Sequence, residues 1–252
     1  MCIRDSPYET YRRLRDEAPA YWNPDLSFWV LSRFEDVQNA FKDFDTFSST
    51  GGVALESRRR RDAGRMEFQQ MIEMDPPDHT SFRKLVNRIF TGRRVAAMED
   101  DIRNIFNGYL YQIVERGEAD LVEEVTSPFP MDVISAFLDI PEGDRAQLRS
   151  YSDTILIRED GKMELPQVAA EGMFAMLQYF IDDLPKRRKN PRNGIIDDLL
   201  TLEVDGRSLT EEELLGFCIL FVIAGHETTT KMVANAIDLL SRHPDQKRDL
   251  AH

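Results

Sequence analysis

The sequence predicts a mainly α-helical fold with a small β element near the N-terminus. Three observations predict it. Apolar residues recur at helical spacing through most of the chain beyond residue 76. One β-prone run, Phe28-Trp29-Val30-Leu31, stands near the start. Helix breakers at Gly92, Gly117, Pro141-Glu142-Gly143, Gly161, Asn190-Pro191 and Asp205-Gly206 punctuate the remainder.

A chain of 252 residues can bury a sizeable core, and no repeat, low-complexity tract or composition shift marks a boundary. Residues 1–252 therefore read as a single domain. Apolar residues make up 42% and charged residues 31%, the balance of an ordinary globular protein. The net charge of -13 repels phosphate backbones, which argues against nucleic acid as a partner. The opening MCIRDS has no apolar stretch behind its Arg and does not read as a signal peptide. The longest apolar run, Leu214 to Ala224, falls short of the roughly 20 residues that span a membrane, so a buried core helix is expected and no membrane. Two cysteines, Cys2 and Cys218, offer no disulfide framework, which fits a reducing cytoplasm.

In chain order, Pro7 with Tyr8, Tyr11 and Leu14 opens a short helix. After the strand, Glu35 to Phe44 returns to helical spacing. Ser48 to Gly64 has no period, carries the basic run Arg58 to Arg61, and reads as a long loop. Helices are then expected over Pro76 to Phe90, Arg94 to Arg116, Pro130 to Leu138, Asp144 to Ile157, Pro166 to Lys189, Ile195 to Leu202 and Thr210 to Ser241.

Two segments carry candidate chemistry. In MDPPDHTSFR, Pro76-Pro77 and Asp78 start a helix, and His79 and Arg83 then project from one face as a compact donor pair for a carboxylate or phosphate. The bland alternative pairs Arg83 with Asp75 or Asp78. The second segment lies inside the longest helix, which Thr210 and Glu213 open with a capping box. Its course is apolar on every side from Leu214 and is expected to cross the middle of the fold. At Ala224-Gly225-His226-Glu227-Thr228-Thr229-Thr230 it breaks local rules with a mid-helix Gly, three stiff Thr and an acid beside a buried stretch. Apolar packing is expected to resume at Met232, Val233, Ala236, Leu239 and Leu240. Small residues at Ala224 and Gly225 would leave room for a flat ligand, with the acid and the alcohol at its edge to manage protons. The alternative is a kinked core helix with Thr hydroxyls bonded back to the preceding turn. His226-Glu227 does not complete H-E-x-x-H, because Thr230 stands where the second His belongs.

The two segments, MDPPDHTSFRKLVNRIFTGRRV (Met74 to Val95) and LLGFCILFVIAGHETTTKMVANAIDLLSRHPDQ (Leu214 to Gln246), together resemble the cytochrome P-450 family of bacterial soluble haem-thiolate monooxygenases. FDTFSS (Phe44 to Ser49) and SPFPMDVISAFLDI (Ser127 to Ile140) add to the resemblance, which runs from Pro7 onward. It implies a P-450-like helical fold, represented by its N-terminal, distal part and truncated after the long central helix. It also implies b-type haem, dioxygen, a small apolar substrate and a ferredoxin- or flavin-type redox partner. His79 and Arg83 match the pair that binds a haem propionate. Ala224 and Gly225 match the small positions where dioxygen binds above the iron. Glu227 and Thr228 match the acid and alcohol that handle protons for O–O cleavage. The loop from Gly51 to Gln70 and the helices around Tyr151 and Phe174 would shape the substrate pocket.

The family's proximal iron ligand is a Cys thiolate in a glycine-rich loop near the C-terminus; that loop, and the E-x-x-R helix expected between the central helix and it, are missing from this sequence. Cys218 sits on the central helix without that loop, so no metal ligand is assigned. The alternative to a monooxygenase is a non-catalytic helical binding or interaction protein that retains the scaffold. DNA beyond codon 252 encoding E-x-x-R and the Cys loop in frame would mark the enzyme. The chain expressed with haemin is predicted to give no thiolate-type Soret band in a carbon-monoxide difference spectrum; such a band would overturn the assignment of Cys218.

Overall fold

The computed structural model describes residues 7–55, 70–159, 162, 164–192, 194–204 and 206–250. The basic run Arg58 to Arg61, the break at Gly161 and Cys2 lie outside the described residues. Helix α1 (Tyr8–Glu17) leads into strands β1 (Ala20–Asn23) and β2 (Phe28–Leu31), and α2 (Phe34–Lys42) follows. The strands form an antiparallel hairpin that pairs Ala20 with Leu31 and Trp22 with Trp29. The indole rings of that second pair lie 5.3 Å apart. The expected strand is present; its partner β1 escaped the sequence reading because Pro19 and Asn23 interrupt its apolar character. No residue of α1, β1, β2 or α2 is buried.

The helices that follow are α3 (Asp78–Ile89), α4 (Gly92–Ala97), α5 (Glu99–Val114), α6 (Pro128–Leu138), α7 (Glu142–Ile155), α8 (Gln167–Lys189), α9 (Ile195–Thr201), α10 (Glu211–Arg242) and α11 (Pro244–Leu250), and the core lies in them, α4, α5 and α11 excepted. A two-residue hairpin, β3 (Glu203–Val204) with β4 (Arg207–Ser208), precedes α10. Three sequence expectations need correction. The helix expected over Arg94 to Arg116 is two helices. Thr91 caps the first by accepting from the Arg94 N–H, and Met98, at ψ 0°, leaves the helical ladder between them. The start expected at Pro130 moves back to Pro128, behind a wide π turn at Val122–Thr126. Proline lacks an N–H, so a regular ladder cannot pass through Pro128 and Pro130, and the chain turns more loosely before them.

The third correction concerns the central helix, α10. Its capping box forms as expected, with Glu213 N–H donating to Thr210 Oγ1 at 3.2 Å and Thr210 N–H to Glu213 Oε2 at 3.0 Å. By length and composition α10 could cross a membrane. Here its first half is core: Leu214, Phe217, Cys218, Ile219 and Val222 are buried, packed on α6, α7 and α8. The second half is not. Met232 is 65% exposed and Leu239 55%. The apolar packing expected to resume there has no counterpart among the described residues, because the helix has passed beyond the helices that cover its first half.

An ion knot clasps α8 to its neighbours. Arg187 is fully buried. Its Nε donates to Asp183 Oδ2 at 2.5 Å, its Nη2 to the Asp139 carbonyl at 2.9 Å, and its Nη1 stands 3.8 Å from Asp197 Oδ2. Asp139 turns left-handed (φ 52°) to end α6, and a Cβ on Gly194 would meet its Cβ at 2.6 Å. Glycine there lets α9 begin against the end of α6. Arg187→Met is expected to cost about 1–3 kcal/mol in urea unfolding, since it removes one of the two cations on buried Asp183, the other being Arg192, and the donor to the Asp139 carbonyl; an unchanged midpoint would disprove the clasp.

Candidate functional site

Helix α3 begins where the proline signal placed it. The Asp75 carbonyl accepts from the His79 N–H at 2.9 Å. The Asp75 carboxylate turns outward to the preceding loop, accepting from the Ser49 N–H at 2.8 Å and from the Ser48 hydroxyl. It therefore tethers that loop and does not pair with Arg83. Among the described residues no carboxylate pairs with Arg83, which is exposed, while His79 is half-buried.

Arg83 forms part of the wall of a half-open cavity of about 290 Å³ between α3 and α10. Val86, Asn87 and Phe90 continue that wall along α3. Opposite stand Phe217, Leu220, Phe221 and Ala224, at the three- and four-residue spacing of one helix face. The Phe90 ring lies 5.1 Å from Phe221, and Phe221 stacks on Phe217 at 5.4 Å. Sequence reading missed this aromatic lining. Phe217 and Phe221 showed only as core, and their meeting with Phe90 is tertiary.

The predicted residues separate in space. Arg83 and Ala224 share the cavity; His79, Gly225, Glu227 and Thr228 do not line it. Thr228 lies one turn beyond Ala224 on the same face, where the cavity stripe runs out to the exposed surface. Its hydroxyl donates to the Ala224 carbonyl at 2.5 Å, and Thr230 donates likewise to the His226 carbonyl at 2.9 Å. The back-bonding considered for this turn is therefore present. The acid that looked costly is partly exposed and ion-paired with Lys231, one turn on.

Gly225 requires a correction. A Cβ there would lie 2.3 Å from Ile134 Cδ1 and 2.7 Å from its Cγ1. Its missing side chain makes room for α6, not for a ligand. His226, set aside in sequence because its motif failed, is almost wholly buried. Its Nδ1 stands 3.2 Å from Ser152 Oγ on α7 and its Nε2 3.1 Å from the Ser127 carbonyl oxygen. Burial lowers its pKa below the ordinary histidine range, with Asp153 pulling the other way. Cys218 is fully buried, and burial pushes its thiol well above the usual range, which removes it as a thiolate. No group of three or more potential metal ligands occurs among the described residues.

A helical core with a cavity between a short N-terminal helix and a long central one defines a class of fold that is shared with known proteins. The cytochrome P450 family model matches residues 162–252. A Mycobacterium tuberculosis protein numbered 123 in the cytochrome P450 series is 39% identical over 245 residues. The vitamin D(3) 25-hydroxylase of Pseudonocardia autotrophica is 35% identical over 249. Among solved structures, substrate-free CYP109E1 from Bacillus megaterium superposes with a TM-score of 0.81 at 28% identity, covering 97% of this chain and 64% of that one. The chain is similar to the cytochrome P450 family over residues 162–252 by its family model, and to individual members along nearly its whole length. It spans about 60% of the length of the curated relatives it matches.

Gly225→Val is expected to lower stability by about 1–3 kcal/mol through overpacking against α6. Ile134→Ala in the same chain should recover part of that loss. If the two substitutions simply add in chemical denaturation, α10 and α6 are not held by this contact.

Proposed function

We propose that this chain is the distal part of a haem-dependent monooxygenase that inserts one oxygen atom from dioxygen into a small apolar organic substrate. The observation that carries the reading is the cavity between α3 and α10, with an unpaired guanidinium on one wall and a small side chain on the other. Likeness to the cytochrome P450 family supports b-type haem as the group it serves. The residues present fit one edge and the distal face of such a group. An exposed guanidinium suits a propionate, and Ala224 leaves clearance beside it. Among the described residues Cys218 is no candidate donor for the opposite face, since burial disfavours its thiolate.

Haem, when bound, supplies the redox chemistry that activates dioxygen. This chain's residues do the rest of the work assigned here. Arg83 holds the propionate, and His79, one turn earlier, adds a second donor. Phe90, Phe217 and Phe221 keep the cavity apolar, which favours an apolar substrate and excludes water. Gly225 lets α10 approach α6 closely enough to set the height of Ala224. The Thr228 hydroxyl, held on the Ala224 carbonyl, keeps its lone pairs on the open side. Turning about χ1 presents its proton there instead. Glu227, paired with Lys231 at the protein surface, connects that alcohol to solvent as a proton relay. Electrons come from a separate ferredoxin- or flavin-type protein.

In the full-length protein, Thr228→Ala is expected to reduce product formation on the order of 10²-fold while electron consumption continues and peroxide accumulates. Unchanged coupling would remove Thr228 from this role. Arg83→Leu is expected to weaken haem retention in a transfer assay to apomyoglobin; retention equal to the parent would count against the propionate contact.

A further inference from the structure

His226 faces away from the cavity, towards α7 and the wide turn before α6. Its two ring nitrogens meet two different elements: Ser152 of α7 at Nδ1 and the Ser127 carbonyl at Nε2. A carbonyl oxygen can only accept, so Nε2 carries the proton. Nδ1 is then a bare lone pair, and the Ser152 hydroxyl donates to it. The bond to Ser152 is buried, Ser152 being fully inaccessible, and the bond to Ser127 is partly so. We propose that His226, as the neutral Nε2–H tautomer, is a positioning residue that fixes the rotation of α10 about its axis and pins α7 to it. One rigid ring bonded on two sides determines an angle, whereas apolar contacts along α10 permit sliding. Glu227 and Thr228 follow at successive steps of about 100° round the helix, so their aim depends on that angle. This last consequence rests on the proposed function; the pin itself does not.

The surroundings make the pin sensitive to pH. Asp153 of α7 places Oδ1 3.7 Å from Nδ1. Asp153 and Glu227 favour a second proton on the ring, Arg149 of α7 opposes it, and Glu123 of the wide turn faces Asp153. Burial opposes protonation most strongly. A proton on Nδ1 also takes the place of the one that Ser152 donates. The unfolded or undocked chain, with an ordinary histidine, takes up that proton more readily. The docked state is thus fully favoured above the ordinary histidine pKa and loses ground as pH falls through it towards the lowered value. Acidification releases α7 from α10 before it charges the ring in place.

The test uses the 252-residue chain, labelled with ¹⁵N-histidine and followed by long-range ¹H–¹⁵N spectra between about pH 5 and 8, the span over which histidine ordinarily titrates. The expected pattern at neutral pH is the Nε2–H tautomer; the Nδ1–H tautomer or an imidazolium would overturn the proposal. Amide exchange supplies the second readout. Ser152→Ala is expected to speed exchange in α7 about tenfold, the loss of one buried hydrogen bond. His226→Gln can donate from Nε2 and accept at Oε1 but cannot titrate. It should keep α7 protected at neutral pH and abolish the extra loss on acidification. If Ser152→Ala leaves α7 unchanged, or His226→Gln keeps the parent's pH dependence, His226 is not the pin. None of these measurements needs haem, so they stand or fall separately from the coupling result for Thr228→Ala.

Discussion

The structure turns on how closely α10 is allowed to approach α6. A helix that is apolar all round has no intrinsic preference for which side faces its neighbours. The absent side chain at Gly225 supplies one, because a Cβ there would clash with Ile134 of α6. Once that face is seated, Leu214, Cys218 and Val222 are buried beside it. His226 lands against Ser152 and Ser127. The opposite stripe, Phe217, Phe221 and Ala224, is left to face the cavity, with Thr228 beyond its edge. The mid-helix glycine that costs helical propensity thereby lets this face of α10 seat on α6, and the two bonds of His226 fix its angle there.

Around that seat the fold is held by two kinds of buried polar contact. The histidine contact ties α10 to α7 with neutral groups. The Arg187 knot ties α8 to α6 and α9 with charges. Each replaces many interchangeable apolar contacts by a few directional ones, which favours a single register between helices. The charged knot is the more exacting, since buried charges need partners on every side: Asp183 takes both Arg187 and Arg192, and Asp197 also accepts from the Arg192 and Gly194 N–H groups. Between them the two contacts keep α6, α7 and α8 against α10, while α3 and Met71 before it stand across the cavity.

Much of this was legible beforehand, for identifiable reasons. Pro76-Pro77 and the Thr210–Glu213 box are local devices, and α3 and α10 begin within two residues of where they point. The helix over residues 166–189 survived Pro185 inside it, and the breaks at Gly117 and Asn190-Pro191 fall outside helices. The π turn before Pro128 and the division at Met98 were not legible, because each reflects where the chain must bend to meet a partner. Among the site residues, sequence singled out the anomalous turn but misjudged its parts. It took Gly225 as space for a ligand and passed over His226, whose meaning lies in Ser152, 74 residues earlier.

By itself the sequence determined that the protein is helical, where its helices start, and that one turn of the longest helix gives up propensity for some other purpose. Those properties follow from interactions within a few residues, which composition and spacing record. Only the tertiary structure decided which side of that turn is buried, that Arg83 and Ala224 share one cavity while His79 and Thr228 stand beyond its edge, and that an aromatic wall from two distant helices lines it. Rotation of a helix about its own axis is set by the surfaces packed against it, and no run of neighbours along the chain contains that information.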